Sequence, residues 1–254
     1  MPITKKIKTI AEYISEISSI KEKFAENGNK PTLLFRGQKV KTSLKPKLEK
    51  PLLFSTLKET EKEILGEFRR GFTHLSELKP EDEWDLIAIA QHHGLPTRLL
   101  DWTYNPLVAL WFAIQKKSIS DGESNAEVCI LNTEDDYFLN TEDKTPFEIT
   151  ATKIFRPKFI TRRIAAQASV FTAHYINKKN KFNAIENLGR YKYELKRITI
   201  PFEYFEKLQE ELDGVGINNS TMFPDLDGFC KHLEWRFSNF NDLYLKRRSQ
   251  NENI

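Results

Sequence analysis

Between residues 10 and 24 apolar side chains recur at steps of about 3.6: Ile10, Ile14, Ile17 and Phe24 fall on one side of a helix, with lysines and glutamates between them. Asn27-Gly28-Asn29 stops that helix. Residues 32–35 form a short β-prone run ending in Arg36-Gly37, which puts Arg36 at or near the end of a strand. A second helix is predicted over 57–78, because Ile64, Leu65, Phe68, Phe72 and Leu75 share a face, and Pro80 separates it from a third. Asp82 can cap the third helix, whose Leu86, Ile87, Ile89 and Ala90 run toward Gly94-Leu95-Pro96, a glycine stop followed by a proline.

Beyond that proline the pattern changes. Residues 97–103 suit a strand or tight loop, and Asn105-Pro106 supplies an N-cap with proline at N1 for a helix over 107–117. The stretch LVALWFAI in that helix is apolar nearly all round, so it is expected to be buried. A turn at 121–125 leads into a strand over 127–131, and the acidic segment 133–143 reads as a surface excursion. Residues 159–167 form a short basic helix feeding a β-prone run over 170–176. Residues 191–200 alternate, with Tyr191, Tyr193 and Leu195 on one face, and Pro201 ends that strand. A helix to about residue 212, a loop through Pro224 and a last helix from Asp225 complete the chain's elements.

Strands and helices interleave without a sustained βαβα rhythm, which predicts an α+β fold: a single compact domain with a mixed or antiparallel sheet and flanking helices. An N-terminal helix within 1–30 packs on a domain over 31–240, and the apolar-poor stretch 241–254 is a polar C-terminal tail. No internal repeat is present.

Composition narrows the function classes. The 254 residues are 39% hydrophobic, enough for a real core. Thirty-nine basic against 36 acidic residues leave a formal net charge of +3, too mild to argue for nucleic acid. Cys129 and Cys230 have no CxxC or Cys/His spacing beside them, which excludes a disulfide scaffold and a zinc module. No stretch approaches the ~20 apolar residues of a membrane span, and the first ten residues lack the apolar region of a secretion signal, so a cytoplasmic protein is expected. Neither GxGxxG nor GxxxxGK[ST] occurs. No His/Asp/Glu set has metal-ligand spacing on one face.

The segment from Gln91 to Thr103, QHHGLPTRLLDWT, concentrates most of the chemically special side chains. With Phe35-Arg36-Gly37 ahead of it, and Pro106, Ala109, Leu110, Phe112 and Ala113 in step behind it, the chain resembles the FRG domain family. Two further blocks extend the resemblance to roughly 33–233: Arg163-Ile164 with Gln167 and Phe171-Thr172, and Phe223 to Gly228. Ser169 departs from the family's usual glycine, which bears on how closely a ligand approaches that backbone.

The order of blocks is also similar, more distantly, to ADP-ribosyltransferases, and that similarity implies NAD as substrate and no metal. Arg36, Thr103 and Gln167 are then the candidate catalytic residues; Arg36, Gly37, Trp102 and Tyr104 are the candidate cofactor-binding residues. A guanidinium fork at Arg36 can grip a pyrophosphate or ribose through paired bonds. Gly37 would let the ligand reach the backbone, Trp102 and Tyr104 would stack on nicotinamide, and Thr103 would set a hydroxyl beside the ribose. Gln167 would hold ribose hydroxyls but, as an amide, cannot act as a base; Asp101, Asp225 or Asp227 would then serve. The implied partners are a macromolecular acceptor, protein or nucleic acid, and a partner or antitoxin protein, as befits a bacterial toxin or defence protein.

Each residue also has a plainer reading. Arg36 can pair with Asp101 or Asp227, Arg98 can pair with Asp101, Trp102 can be core, and one of His92 and His93 can be a satisfied core group. Asp225 and Asp227 can be structural, since Pro224-Asp225 can cap the last helix. A different function class is a nucleic-acid-binding module with Arg36, Arg98, Arg162 and Arg163 along a groove. A third is a metal-independent hydrolase using His92 or His93 with Asp101, although no nucleophile motif accompanies them.

Overall fold

Thr9 accepts a hydrogen bond from the Glu12 amide and so opens α1 (Ile10–Ala25), which buries Tyr13, Ile17 and Ile20. In the computed structural model, which describes residues 7–26, 30–49, 56–115, 124–140, 143–158 and 161–238, the chain continues into β1 (Thr32–Gln38). Thr56 and Glu59 make a reciprocal capping box for α2 (Leu57–Leu75), and the Asp82 side chain caps α3 (Glu83–His92). After α3, Gly94 takes a φ of +87°, the left-handed stop expected of a glycine there. The next elements are β2 (Leu99–Thr103) and α4 (Pro106–Ile114), the latter capped by Asn105 with Pro106 at its first position.

The second half supplies β3 (Ala126–Thr133), β4 (Lys153–Phe155), α5 (Arg162–Ala166), β5 (Ser169–Ala173), α6 (Gly189–Lys192), β6 (Leu195–Ile200), α7 (Phe205–Gly214), α8 (Asn219–Met222) and α9 (Leu226–Ser238). The six strands form one sheet in the order β4-β5-β2-β1-β3-β6, and each pairing is antiparallel. The fold is thus α+β with an antiparallel sheet and flanking helices. β1 and β3 pair along seven positions, β2 and β5 along five, but β1 and β2 share the single register pair Phe35–Thr103.

Both sheet faces are covered. On one face α1, α4 and α7 pack against Leu33, Phe35, Val128, Ile130, Ile198 and Ile200, while Trp84, Ile87 and Ala90 of α3, with Leu65 of α2, pack against Leu99, Phe155, Phe171 and Ala173. On the other face Leu34, Leu100, Trp102, Cys129, Leu131 and Val170 meet Leu44, Tyr137, Ile185 and Tyr191 from connecting segments. α4 is buried along its length: Val108, Ala109, Leu110, Trp111, Ala113 and Ile114 are all inside, as its unbroken apolar run requires.

Several local expectations are corrected. The alternating run 191–200 is not one strand. Tyr191 sits in α6, 1% exposed, with its hydroxyl on the Thr152 carbonyl at 2.9 Å, and only Leu195–Ile200 pairs with β3. The acidic segment is not merely a surface excursion: Thr133 ends β3, and a helical turn at Asp135–Tyr137 buries Tyr137 against Tyr191, ring centres 5.1 Å apart. β4 was not anticipated. α2 ends at Leu75 rather than residue 78, and α4 at Ile114, residues 116 and 117 lying outside the described ones. The stops or turns expected at 27–29 and 121–123, and the tail 241–254, also lie outside them.

Candidate functional site

Where β1 and β2 have no further register pair, a side chain bridges them. Arg36 donates from Nη1 to the Asp101 backbone carbonyl at 2.7 Å, and the same nitrogen lies 3.6 Å from the Asp101 carboxylate. The Arg36 Nε is buried with no partner among the described residues. A guanidinium held by one corner thus keeps another donor unsatisfied, which costs free energy unless something occupies it.

The Asp101 carboxylate, 54% exposed as a side chain, accepts from Gln91 Nε2 at 3.0 Å. Gln91 Oε1 in turn accepts from the Thr97 hydroxyl at 2.8 Å, and Thr97 Oγ1 accepts from the Leu99 amide. This relay explains the spacing of the Gln91–Thr103 block: the helix-end glutamine orients the carboxylate of the following strand. His92 borders the cluster. Burial, then the Arg163 and His93 charges, push its pKa down from 6.5 to about 4, while Asp101 and Asp225 oppose them, so the ring is neutral near pH 7. Arg163 lies over the Phe223 ring at 4.2 Å, and burial lowers its pKa while Asp101 and Asp225 oppose the shift.

Thr103, Trp102 and Tyr104 lie on or just after β2, Arg36 reaches it from β1 and Gln167 bonds to its end, but several of these side chains are committed to the protein itself. Thr103 is 5% exposed; its hydroxyl donates to the Gln167 carbonyl at 2.7 Å and accepts from the Asn105 amide at 3.0 Å. Gln167 donates from Nε2 to the Met222 carbonyl at 3.0 Å, tying α5 to α8. Trp102 is 3% exposed and donates from Nε1 to Thr172, which contacts the buried His174; it is core and presents no face to a ligand. Gly37 is needed by α4 rather than by a ligand, because a Cβ there would stand 2.0 Å from the Ala109 carbonyl oxygen. Tyr104 remains accessible, its hydroxyl accepting from Arg156 Nε at 3.0 Å.

Arg98 does not pair with Asp101. It is buried against Glu61 of α2, donating from Nε at 2.7 Å and from its backbone amide at 2.8 Å, and its Nη1 donates to the Pro146 carbonyl. That removes it from any nucleic-acid groove with Arg36, Arg162 and Arg163. Asp225 caps α9 by accepting from the Gly228 amide at 2.8 Å, and Gly228 lets α9 approach the Phe223 backbone, where a Cβ would lie 2.0 Å from the carbonyl oxygen. Asp227 is exposed on the first turn of α9. The left-handed residue near Ser169 is its neighbour Ala168, at φ +44°, whose carbonyl accepts from the Tyr104 amide.

Sequence reasoning missed Gln91 and Glu61. A signal for Glu61 existed: it falls with Leu57, Leu65 and Phe72 on the apolar side of α2, where a lone carboxylate needs a buried partner. Among the described residues no group of three His, Cys, Asp or Glu side chains could hold a metal, and no helix is long and apolar enough to cross a membrane.

No curated protein and no solved structure matches the chain at a significant level. The family model described as the FRG domain matches residues 31–122, a stretch that includes Arg36, the Gln91–Thr103 block and α4, and excludes Arg163, Gln167 and Asp225. With the Phe35-Arg36-Gly37 signature on the strand that Arg36 joins to β2, the chain carries an FRG domain over residues 31–122.

Proposed function

We propose that the cluster around Arg36 and Asp101 binds NAD and breaks its nicotinamide–ribose bond, passing ADP-ribose to a macromolecular acceptor, protein or nucleic acid, or to water. The observation that carries this reading is the partly exposed Arg36 guanidinium, hydrogen-bonded at Nη1 alone among the described residues, beside a half-exposed carboxylate. A guanidinium fork pairs with two oxygens of a pyrophosphate, a role that a lysine's point charge cannot reproduce. Arg163 adds a second cation facing the same carboxylates.

In this reading the N-glycosidic bond breaks and its electron pair leaves with nicotinamide, neutralising the pyridinium. The ribose C1′ passes through an oxocarbenium-like state, which the Asp101 carboxylate stabilises. An acceptor oxygen or nitrogen then bonds to C1′, and its proton goes to Asp101 or to the neutral His92. Asp101 thus supplies the carboxylate that Gln167 lacks. Gln167 and Thr103 position the β2 end, and Tyr104 takes over the stacking role for which Trp102 is too deeply buried.

The test is to incubate the protein with NAD and follow nicotinamide release, with protein and nucleic-acid acceptors supplied. Asp101→Asn should keep NAD binding and slow release by roughly 10²–10⁴-fold, the usual scale for a lost general base. Arg36→Ala should weaken binding itself. Folded wild-type protein that neither binds NAD nor releases nicotinamide with any acceptor overturns the reading, and a fully active Asp101→Asn variant removes Asp101 from it.

A further inference from the structure

A cleft of about 440 Å³ lies between α2 and the turn at residues 145–148, and it shares no residue with the Arg36–Asp101 cluster. Lys58, Lys62, Gly66 and Arg69 succeed one another at steps of four, four and three along α2, so they line one side of the helix. Arg69 is paired with Glu83, which also borders the cleft. Lys58 and Lys62 make no ion pair among the described residues, and neither does Glu148 on the opposite wall. Phe147 lines that wall, with its ring centre 5.3 Å from the Lys62 ammonium.

The two walls are fastened from behind by one buried side chain. Arg98 is 2% exposed; it holds Glu61 on α2, one residue from Lys62, and it donates to the carbonyl of Pro146, one residue from Phe147. The separation of the walls is therefore set by an internal ion pair, and the cleft is formed before any ligand arrives. Gly66 lines the cleft without a side chain, and a Cβ there, as at Gly71 further along α2, would meet nothing within 4 Å.

We infer that this cleft binds a nucleoside monophosphate. Two ammoniums one helical turn apart, neither in an ion pair among the described residues, suit the two negative charges of a phosphate monoester. The half-buried Phe147 ring, which Lys62 and Arg98 approach at 5.3 and 5.2 Å, gives the base an aromatic contact beside Lys62. The Glu148 carboxylate, also outside any ion pair among the described residues, accepts from base or ribose donors. The volume falls within the usual range of small-molecule sites. This site stands independently of the NAD reading, because none of its residues belongs to the Arg36–Asp101 cluster.

The experiment is calorimetric titration of the full chain with AMP and, separately, with inorganic phosphate, at low ionic strength. AMP should bind wild type and Arg36→Ala alike, and the double variant Lys58→Gln/Lys62→Gln should lose at least about tenfold in affinity, as expected for charge-assisted contacts. Phosphate should bind more weakly than AMP, and Phe147→Ala should narrow that gap. Both lysines are on the surface of α2, so unchanged circular dichroism and melting temperature are expected of the double variant. No AMP binding to wild type at millimolar concentration overturns the inference. So does AMP binding that survives in the double lysine variant, and so does AMP binding lost in Arg36→Ala alone, which would place the nucleotide in the other site.

Discussion

The two arginines that flank β2 occupy opposite extremes. Arg98, just before the strand, is enclosed, and its backbone amide, Nε and Nη1 all have acceptors on α2 and the 145–148 turn. Arg36, reaching the middle of the strand from β1, is held at Nη1 alone and leaves Nε without a partner among the described residues. A guanidinium fixed from several sides stabilises a fold, whereas one fixed at a single corner keeps capacity for something else. Within five residues of strand the same side-chain chemistry thus serves two purposes: each guanidinium keeps one buried nitrogen without a hydrogen bond, but Arg98 is 2% exposed and held at two nitrogens, whereas the Arg36 side chain is 21% exposed and held at one.

The largest expected effect lies at the enclosed end. Arg98→Ala leaves the Glu61 carboxylate buried without a counter-charge, and unfolding in denaturant should show a loss of about 3–5 kcal/mol; a loss below 1 kcal/mol would erase the contrast with Arg36. Next comes Gly37→Ala. Its Cβ would meet the α4 backbone at 2.0 Å, so β1 and α4 must separate, and the melting temperature should fall by the equivalent of about 1–3 kcal/mol. An undisturbed Gly37→Ala variant would return Gly37 to the list of ligand-facing positions.

The smallest effect concerns pH. The folded-state pKa of His92 is lowered to about 4 from an ordinary 6.5, and that of the buried His174 to about 3, chiefly by burial. In that range the unfolded chain binds more protons than the folded one, so stability is complete above pH 6.5 and declines as pH falls from about 6.5 toward 4. Melting temperatures recorded across that window should drop in wild type and drop less in His92→Gln. An equal slope in both would mean that His92 is as easily charged in the fold as outside it.

What could be read in the sequence was mostly local. The Asn105-Pro106 start and the unbroken apolar run of α4 fixed its place and burial, and Asp82, Gly94 and Asp225 signalled helix ends that the structure contains. Trp102 could not be judged this way, because β2 is covered on both faces: Leu99, Leu100, Trp102 and Thr103 are all buried, and no alternation marks an open side. For Arg98 the nearby Asp101 offered an obvious partner at three residues, but the actual one stands 37 residues back on α2. Gly37 posed the same difficulty, since the backbone it accommodates belongs to residues 109 and 113. The strand 153–155 is only three residues long, too short for a periodic signal.

The lone Phe35–Thr103 pair between β1 and β2 gives the sheet a mechanical seam. On one side β4, β5 and β2 are zipped together; on the other, β1, β3 and β6 are. Across the seam the Arg36 side chain acts as a staple where further backbone rungs are missing. Amide exchange should therefore be faster along this line than inside either half-sheet. Any molecule that grips Arg36 and Asp101 together rivets the halves, so its binding would register as slower exchange at the seam and as resistance to pulling the two halves apart.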